Sequence, residues 1–290
     1  MTDQPRLNHV QCLDNRGLHR MAYWEWGEAA NPRVLVCVHG LTRQGRDFDT
    51  LARSLCSVYR IVCPDVVGRG CSDRLADPMG YAVPQYVADM VTLLARLNAE
   101  RVDWVGTSMG GLIGIGLAAQ TGSPLARMVV NDVGPSIEPA SLVRIGSYLG
   151  QPLRWKTLDE AADAMWAISQ GFGPHTREQW LELTRPQLTT DDEGWLMPRY
   201  DPAIAAPYKA ITPALAQAGE ALLWQAWDRL TLPTLLLRGA QSDLLSSATA
   251  QAMTERGPRA RLVEFSGVGH APMLQQPDQL AAVREFLLSP

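Results

Sequence analysis

Ser108 stands between Gly106 and Gly110 in the stretch DWVGTSMGGLIGIG, residues 103–116, which begins apolar and ends rich in glycine. A serine hydroxyl is a poor nucleophile by itself; it attacks a carbonyl when a base takes its proton and an acid orients that base. The spacing G-x-S-x-G arises often by chance, so its setting decides. VDWVG reads as a strand and GLIGIGLAAQ as a helix, which places the serine on the sharp corner between them, with its hydroxyl raised above a sheet. Glycines at both flanks spare that corner the collisions a Cβ would make. The helix that follows aims its free N–H groups and positive dipole end at any oxyanion formed beside the hydroxyl.

The chain has five histidines from which to draw a base. His9 and His19 fall in a leading segment and His175 in a tryptophan-rich stretch, where exposure is the expectation; His39 ends VLVCVHG. His270, in FSGVGHAP between the last strand and the last helix, is the expected base, because that loop lies where parallel α/β sheets bind ligands. Two aspartates compete as its orienting acid. Asp243, in LLLRGAQSDLL just beyond the penultimate strand, is preferred and gives the order Ser, Asp, His. Asp132 is the rival: it follows RMVVN at the end of the strand after the serine, and it either reaches the imidazole or holds the loop NDVGP by an Asx turn.

These residues need a scaffold that gathers them at one edge. VLVCVHG, YRIVCPD, VDWVG, ARMVVND, TLLLRG and ARLVEF are short apolar runs closed by Gly, Asp or Pro, the pattern of strands covered on both faces. Helical periodicity fills most gaps, from Asp49, Gln85, Met109 and Ser247, and closes the chain from Pro277. Such alternation implies a mostly parallel sheet with helices on both faces, and the alternation in VQCLDNRGLHRMAYWEWG adds a leading hairpin. Residues 135–230 break the order: they read as helical, tryptophan-rich and free of any convincing strand, a helical lid inserted into a core made of 1–134 and 231–290.

The whole-chain figures narrow the function. With 290 residues, 46% of them hydrophobic, the chain can bury a large core. A formal net charge of -4 and scarce lysine leave no basic stripe for nucleic acid, and no apolar run is long enough to span a bilayer. The opening residues lack a basic end and an apolar stretch, so the expected location is cytoplasmic. Five cysteines without a C-x-x-C pair point to neither a disulfide framework nor a zinc site and fit a reducing compartment. GIGLAA matches a dinucleotide fingerprint in letters only, because it falls inside a helix rather than at its start, so no cofactor is expected. No metal-ligand spacing occurs either.

Taken together, HGLT, PDVVGRGCSD, GTSMGG, GAQSD and GVGHAP, in that order, resemble the α/β-hydrolase family over nearly the whole chain outside residues 135–230. The resemblance implies a sheet of about eight strands and an oxyanion hole from the backbone N–H groups of Met109 and Leu41, with Thr42 as a second candidate. It makes His39 and Gly40 loop-shaping residues and Asp65, Gly68 and Gly70 the turn after the fourth strand. Relatives that form alkyl-enzyme intermediates attack with an aspartate, so Ser108 implies acyl chemistry. The expected activity is hydrolysis of carboxylic esters with small or medium acyl groups, acting on a small-molecule substrate. Cleavage of a C–C bond beside a carbonyl, of a lactone or of a thioester, perhydrolysis without a cofactor, and ligand reception without turnover are the alternatives. Trp155, Trp166, Trp180, Trp195, Trp224 and Trp227 are expected to pack the lid more than to touch substrate.

Overall fold

A computed structural model describes residues 4–289. In chain order the elements are β1 (Arg6–Asp14), β2 (Gly17–Trp26), β3 (Val34–Val38), α1 (Asp49–Leu55), β4 (Arg60–Pro64), α2 (Val83–Leu97), β5 (Val102–Thr107), α3 (Met109–Ala118) and β6 (Leu125–Asn131). They continue with α4 (Pro139–Tyr148), α5 (Leu158–Ser169), α6 (Arg177–Thr184), β7 (Leu188–Thr190), β8 (Leu196–Pro198), α7 (Ala205–Lys209), α8 (Pro213–Asp228), β9 (Thr234–Gly239), α9 (Ser247–Glu255), β10 (Arg261–Phe265) and α10 (Pro277–Leu288). Eight strands form one sheet in the order β1-β2-β4-β3-β5-β6-β9-β10. The leading hairpin pairs antiparallel and joins β4 antiparallel; from β4 to β10 the pairing is parallel.

Every residue of β3 is buried, and its side chains alternate between two cores. Val34, Val36 and Val38 join Met90, Leu93 and Ile113 on the face of α2 and α3; Leu35 and Cys37 join Leu51, Leu55, Val283 and Leu287 on the face of α1 and α10. A strand sandwiched this way has no polar position, which is why it reads as a continuous apolar run. Small residues in α3 serve the packing: a Cβ on Gly114 would lie 2.4 Å from Trp104 Nε1, so the glycines in GIGLAA let the helix sit close on the sheet.

Chain order fixes where a ligand fits. From β3 the chain steps outward to β4, whereas from β5 it steps the opposite way to β6. The connections therefore diverge at the carboxyl ends of β3 and β5, leaving the crevice that doubly wound sheets use for ligands.

Between β6 and β9, which are sheet neighbours, lie α4 to α8 and a small ribbon of β7 paired with β8. That ribbon corrects the expectation of no strand in residues 135–230; its strands are three residues each, shorter than any run that periodicity can register. Trp180 and Leu183 pack with Met165, Trp166 and Phe172 into a separate apolar cluster that includes Met273 of the loop between β10 and α10. Among the six tryptophans of residues 135–230, Trp180 and Trp227 are buried in cores, and Arg154 and Arg256 lie over the rings of Trp195 and Trp224. His19, expected at the surface, is buried instead and its Nε2 bonds Asp89 of α2 at 3.1 Å, tying the hairpin to the helix.

Candidate active site

β5 runs straight into α3, and Ser108 is the hinge residue, with φ 52° and ψ -117°. Few L-residues hold that conformation, and here close packing enforces it. A Cβ on Gly106 would sit 2.2 Å from the Gly110 carbonyl oxygen, and one on Gly110 would sit 2.0 Å from that of Val38. The Ser108 N–H donates to the Asn131 carbonyl at 2.9 Å, which locks the corner to the end of β6.

The hydroxyl faces His270. Ser108 Oγ lies 3.0 Å from His270 Nε2, and His270 Nδ1 lies 2.8 Å from Asp132 Oδ2. A carboxylate only accepts, so Nδ1 carries the ring hydrogen and Nε2 is left with a lone pair for the serine's proton. Asp132 is fully buried and its second contacts fix its direction: Gly239 N–H donates to Oδ1 at 2.8 Å and Ser242 Oγ–H to Oδ2 at 2.7 Å. Its φ of 57° turns the chain sharply after β6, a conformation that aspartate tolerates better than most residues.

The acid facing the imidazole is therefore Asp132, and the preference for Asp243 is corrected. Asp243 turns away and binds Arg144 through Nε at 2.6 Å and Nη2 at 2.9 Å. The reason is register: Thr107 pairs with Asn131, so Asp132 lies immediately beside Ser108, whereas Asp243 is four positions beyond the end of β9 at Gly239. The stretch GAQSD still contributes, through Ser242. Nor does Asp132 close an Asx turn; its bonds run to residues more than 100 positions away.

Residues that sequence reasoning passed over hold the rest of the site. Asn131 Nδ2 donates to Thr107 Oγ1 at 3.0 Å and to the Pro272 carbonyl at 2.8 Å, anchoring the histidine loop. Gly269 N–H donates to the Gly171 carbonyl at 2.7 Å, a backbone bond from that loop to the insertion.

On the other side of Ser108, a Cβ on Gly40 would lie 3.6 Å from that of Ser108, so the turn after β3 presses against this serine. His39 sits wholly buried beneath this turn: Val66 N–H donates to Nε2 at 3.0 Å and Nδ1–H donates to the Gly40 carbonyl at 2.7 Å. Arg69, buried and without a carboxylate partner among the described residues, donates from Nε to the Leu41 carbonyl at 2.8 Å. Its Nη2 reaches Met109 Sδ at 3.7 Å. One guanidinium thus supports both residues expected to supply the oxyanion hole. No motif marks it beyond its place in the turn GRG.

Two cavities meet at Ser108. One, of about 110 Å³, is lined by His39–Arg43, Arg144, Phe172 and His270–Met273, among others. The second, of about 350 Å³, is walled mainly by apolar side chains such as Val133, Ile137, Leu142 and Ile204. Leu41, Ser108 and Ile145 border both.

The profile of the Alpha/beta hydrolase family matches residues 35–283, most of the chain. The chain is an α/β hydrolase. It is 54% identical over 290 residues to a 3-hydroxybutyrate-oligomer hydrolase of Cupriavidus necator, covering 99% of both chains. It is 26% identical to an esterase of Escherichia coli over 89% of this chain and 94% of that one. Among solved structures, an α/β hydrolase of Novosphingobium aromaticivorans superposes with a TM-score of 0.86 at 36% identity, with 99% of each chain covered.

Proposed function

We propose that this α/β hydrolase cleaves carboxylic esters of short 3-hydroxy acids through an acyl-enzyme on Ser108. The reading is carried by the unbroken line of hydrogen bonds from Ser108 Oγ through His270 to the buried Asp132. End-to-end identity of 54% with an oligomer hydrolase supports the substrate class. His270 Nε2 takes the hydroxyl proton as Oγ attacks the ester carbonyl, and the N–H groups of Leu41 and Met109 hold the negative oxygen of the tetrahedral adduct. The adduct collapses as His270 returns the proton to the departing alkoxide. Water, deprotonated by the same nitrogen, then attacks the acyl-enzyme and frees the acid and Ser108. Asp132 holds the ring in the tautomer this needs and stabilises its cation.

Residues 135–230 act as a lid on the core formed by 1–134 and 231–290, since they supply walls to both cavities. No helix of the described residues is long and apolar enough to cross a membrane, and all five cysteines are free thiols, which fits a reducing, cytoplasmic setting.

Ser108→Ala tests the reading. Removing the nucleophile should lower kcat on p-nitrophenyl butyrate and on 3-hydroxybutyrate dimer by on the order of 10⁴ or more, with the circular dichroism spectrum unchanged and fluorophosphonate labelling lost. A variant that stays near wild-type turnover sinks the mechanism.

A further inference from the structure

We infer that Arg144 binds a carboxylate on the alcohol half of the ester, so that the site selects esters formed on the hydroxyl of a hydroxy acid and engages the carboxyl-terminal unit of an oligomer. This rests on the ester-hydrolase reading above and adds to it which half of the substrate is charged and where that half lies.

The direction follows from the proton. The departing alkoxide must take its proton from His270 Nε2, so the alcohol half occupies the cavity that His270 lines. His270 borders the smaller cavity and an outer groove, but not the larger cavity, and of the two only the smaller cavity also borders Ser108, so it takes the alcohol half. The acyl half then lies among Val133, Ile137, Leu142 and Ile204.

The smaller cavity has two guanidinium groups in its wall, Arg43 and Arg144. Arg43 is already neutralised inside it: Nε and Nη2 bind the two oxygens of Asp47 at 2.7 Å each, and Asp47 lines the same cavity. Arg144 is placed differently. Its partner Asp243 borders the outer groove, which Arg144 also lines, and not this cavity, so the carboxylate of the pair lies on the groove side of the guanidinium. The two side chains are 37% and 45% exposed, so water screens the pair, and Asp243 engages only Nε and Nη2, which leaves Nη1 to take a carboxylate from substrate.

The test compares two substrates that differ only in that charge, the 3-hydroxybutyrate dimer as free acid and as its methyl ester, with hydrolysis of the inner ester followed by chromatography. Wild-type kcat/KM should favour the acid by about 10- to 100-fold, the worth of a hydrogen bond to a charged group. Arg144→Gln should bring that ratio near one, mainly through KM, and Arg144→Lys should keep part of it. A ratio unchanged in Arg144→Gln, with both esters slowed alike, overturns the inference and makes Arg144 only a fastening of α4 to the loop after β9. A wild-type preference for the methyl ester, or none, overturns it too. p-Nitrophenyl butyrate separates the failures: if wild type cleaves it without discriminating between the dimers, only the role of Arg144 falls; if wild type cleaves none of the three, the ester reading falls with it.

Discussion

The hydrogen on Nδ1 of His270 has Asp132 as its acceptor, and that single bond decides whether Nε2 can take a proton from Ser108. An amide at position 132 would offer N–H toward Nδ1 and favour the opposite tautomer, in which Nε2 already bears hydrogen. Asp132→Asn should therefore lower kcat on p-nitrophenyl butyrate by on the order of 10⁴. Asp243→Asn removes an exposed ion pair, and its effect on the same rate should be smaller by about 100-fold or more. Equal losses in the two variants would contradict the assignment. That Ser108 and His270 meet was legible in the sequence because each is announced by glycines around it. Which aspartate meets the imidazole was not, since two aspartates follow strand ends and only lateral register shows which one adjoins the serine. Asn131, Ser242 and Arg69 lay further out of reach: their roles are side-chain bonds between segments distant in sequence.

At the level of elements, His39 clamps the end of β3 to the loop after β4 through both ring nitrogens. Burial drives its pKa down to about 3, the Gly40 carbonyl opposes this, and the charges of Arg69 and Arg43 add to the fall. An unfolded chain binds the proton near pH ~6.5, the usual histidine value, whereas the fold refuses it until far lower pH. The contribution of this residue is thus complete above about pH 6.5 and is lost as pH falls from there toward about 3. Urea unfolding between pH 7.5 and 5 should show a loss of up to about 1.4 kcal/mol per pH unit from this group. His39→Gln should be less stable throughout, with a shallower slope. An equal slope in the variant would show that other groups carry the acid sensitivity. The central strands were readable because each is buried on both faces, which leaves an apolar run. The β7–β8 ribbon was not, because three residues carry no period and its setting is polar and turn-rich.

Across the whole molecule, the crevice between β3 and β5 and the insertion beyond β6 divide the labour: the strand ends and their loops carry Ser108, Asp132 and His270, and the insertion supplies much of the cavity wall around them. The two parts are not independent. Gly269, next to His270, gives its N–H to Gly171 in the insertion at 2.7 Å. That amide is a built-in reporter of how often the bond between the histidine loop and the insertion opens. Its hydrogen exchanges with solvent only when the bond opens, so deuterium uptake at Gly269 should slow when fluorophosphonate occupies Ser108 and speed up in a variant whose insertion is loosened, such as Trp180→Ala. If its uptake stays constant in all three states, the histidine loop moves independently of its cover.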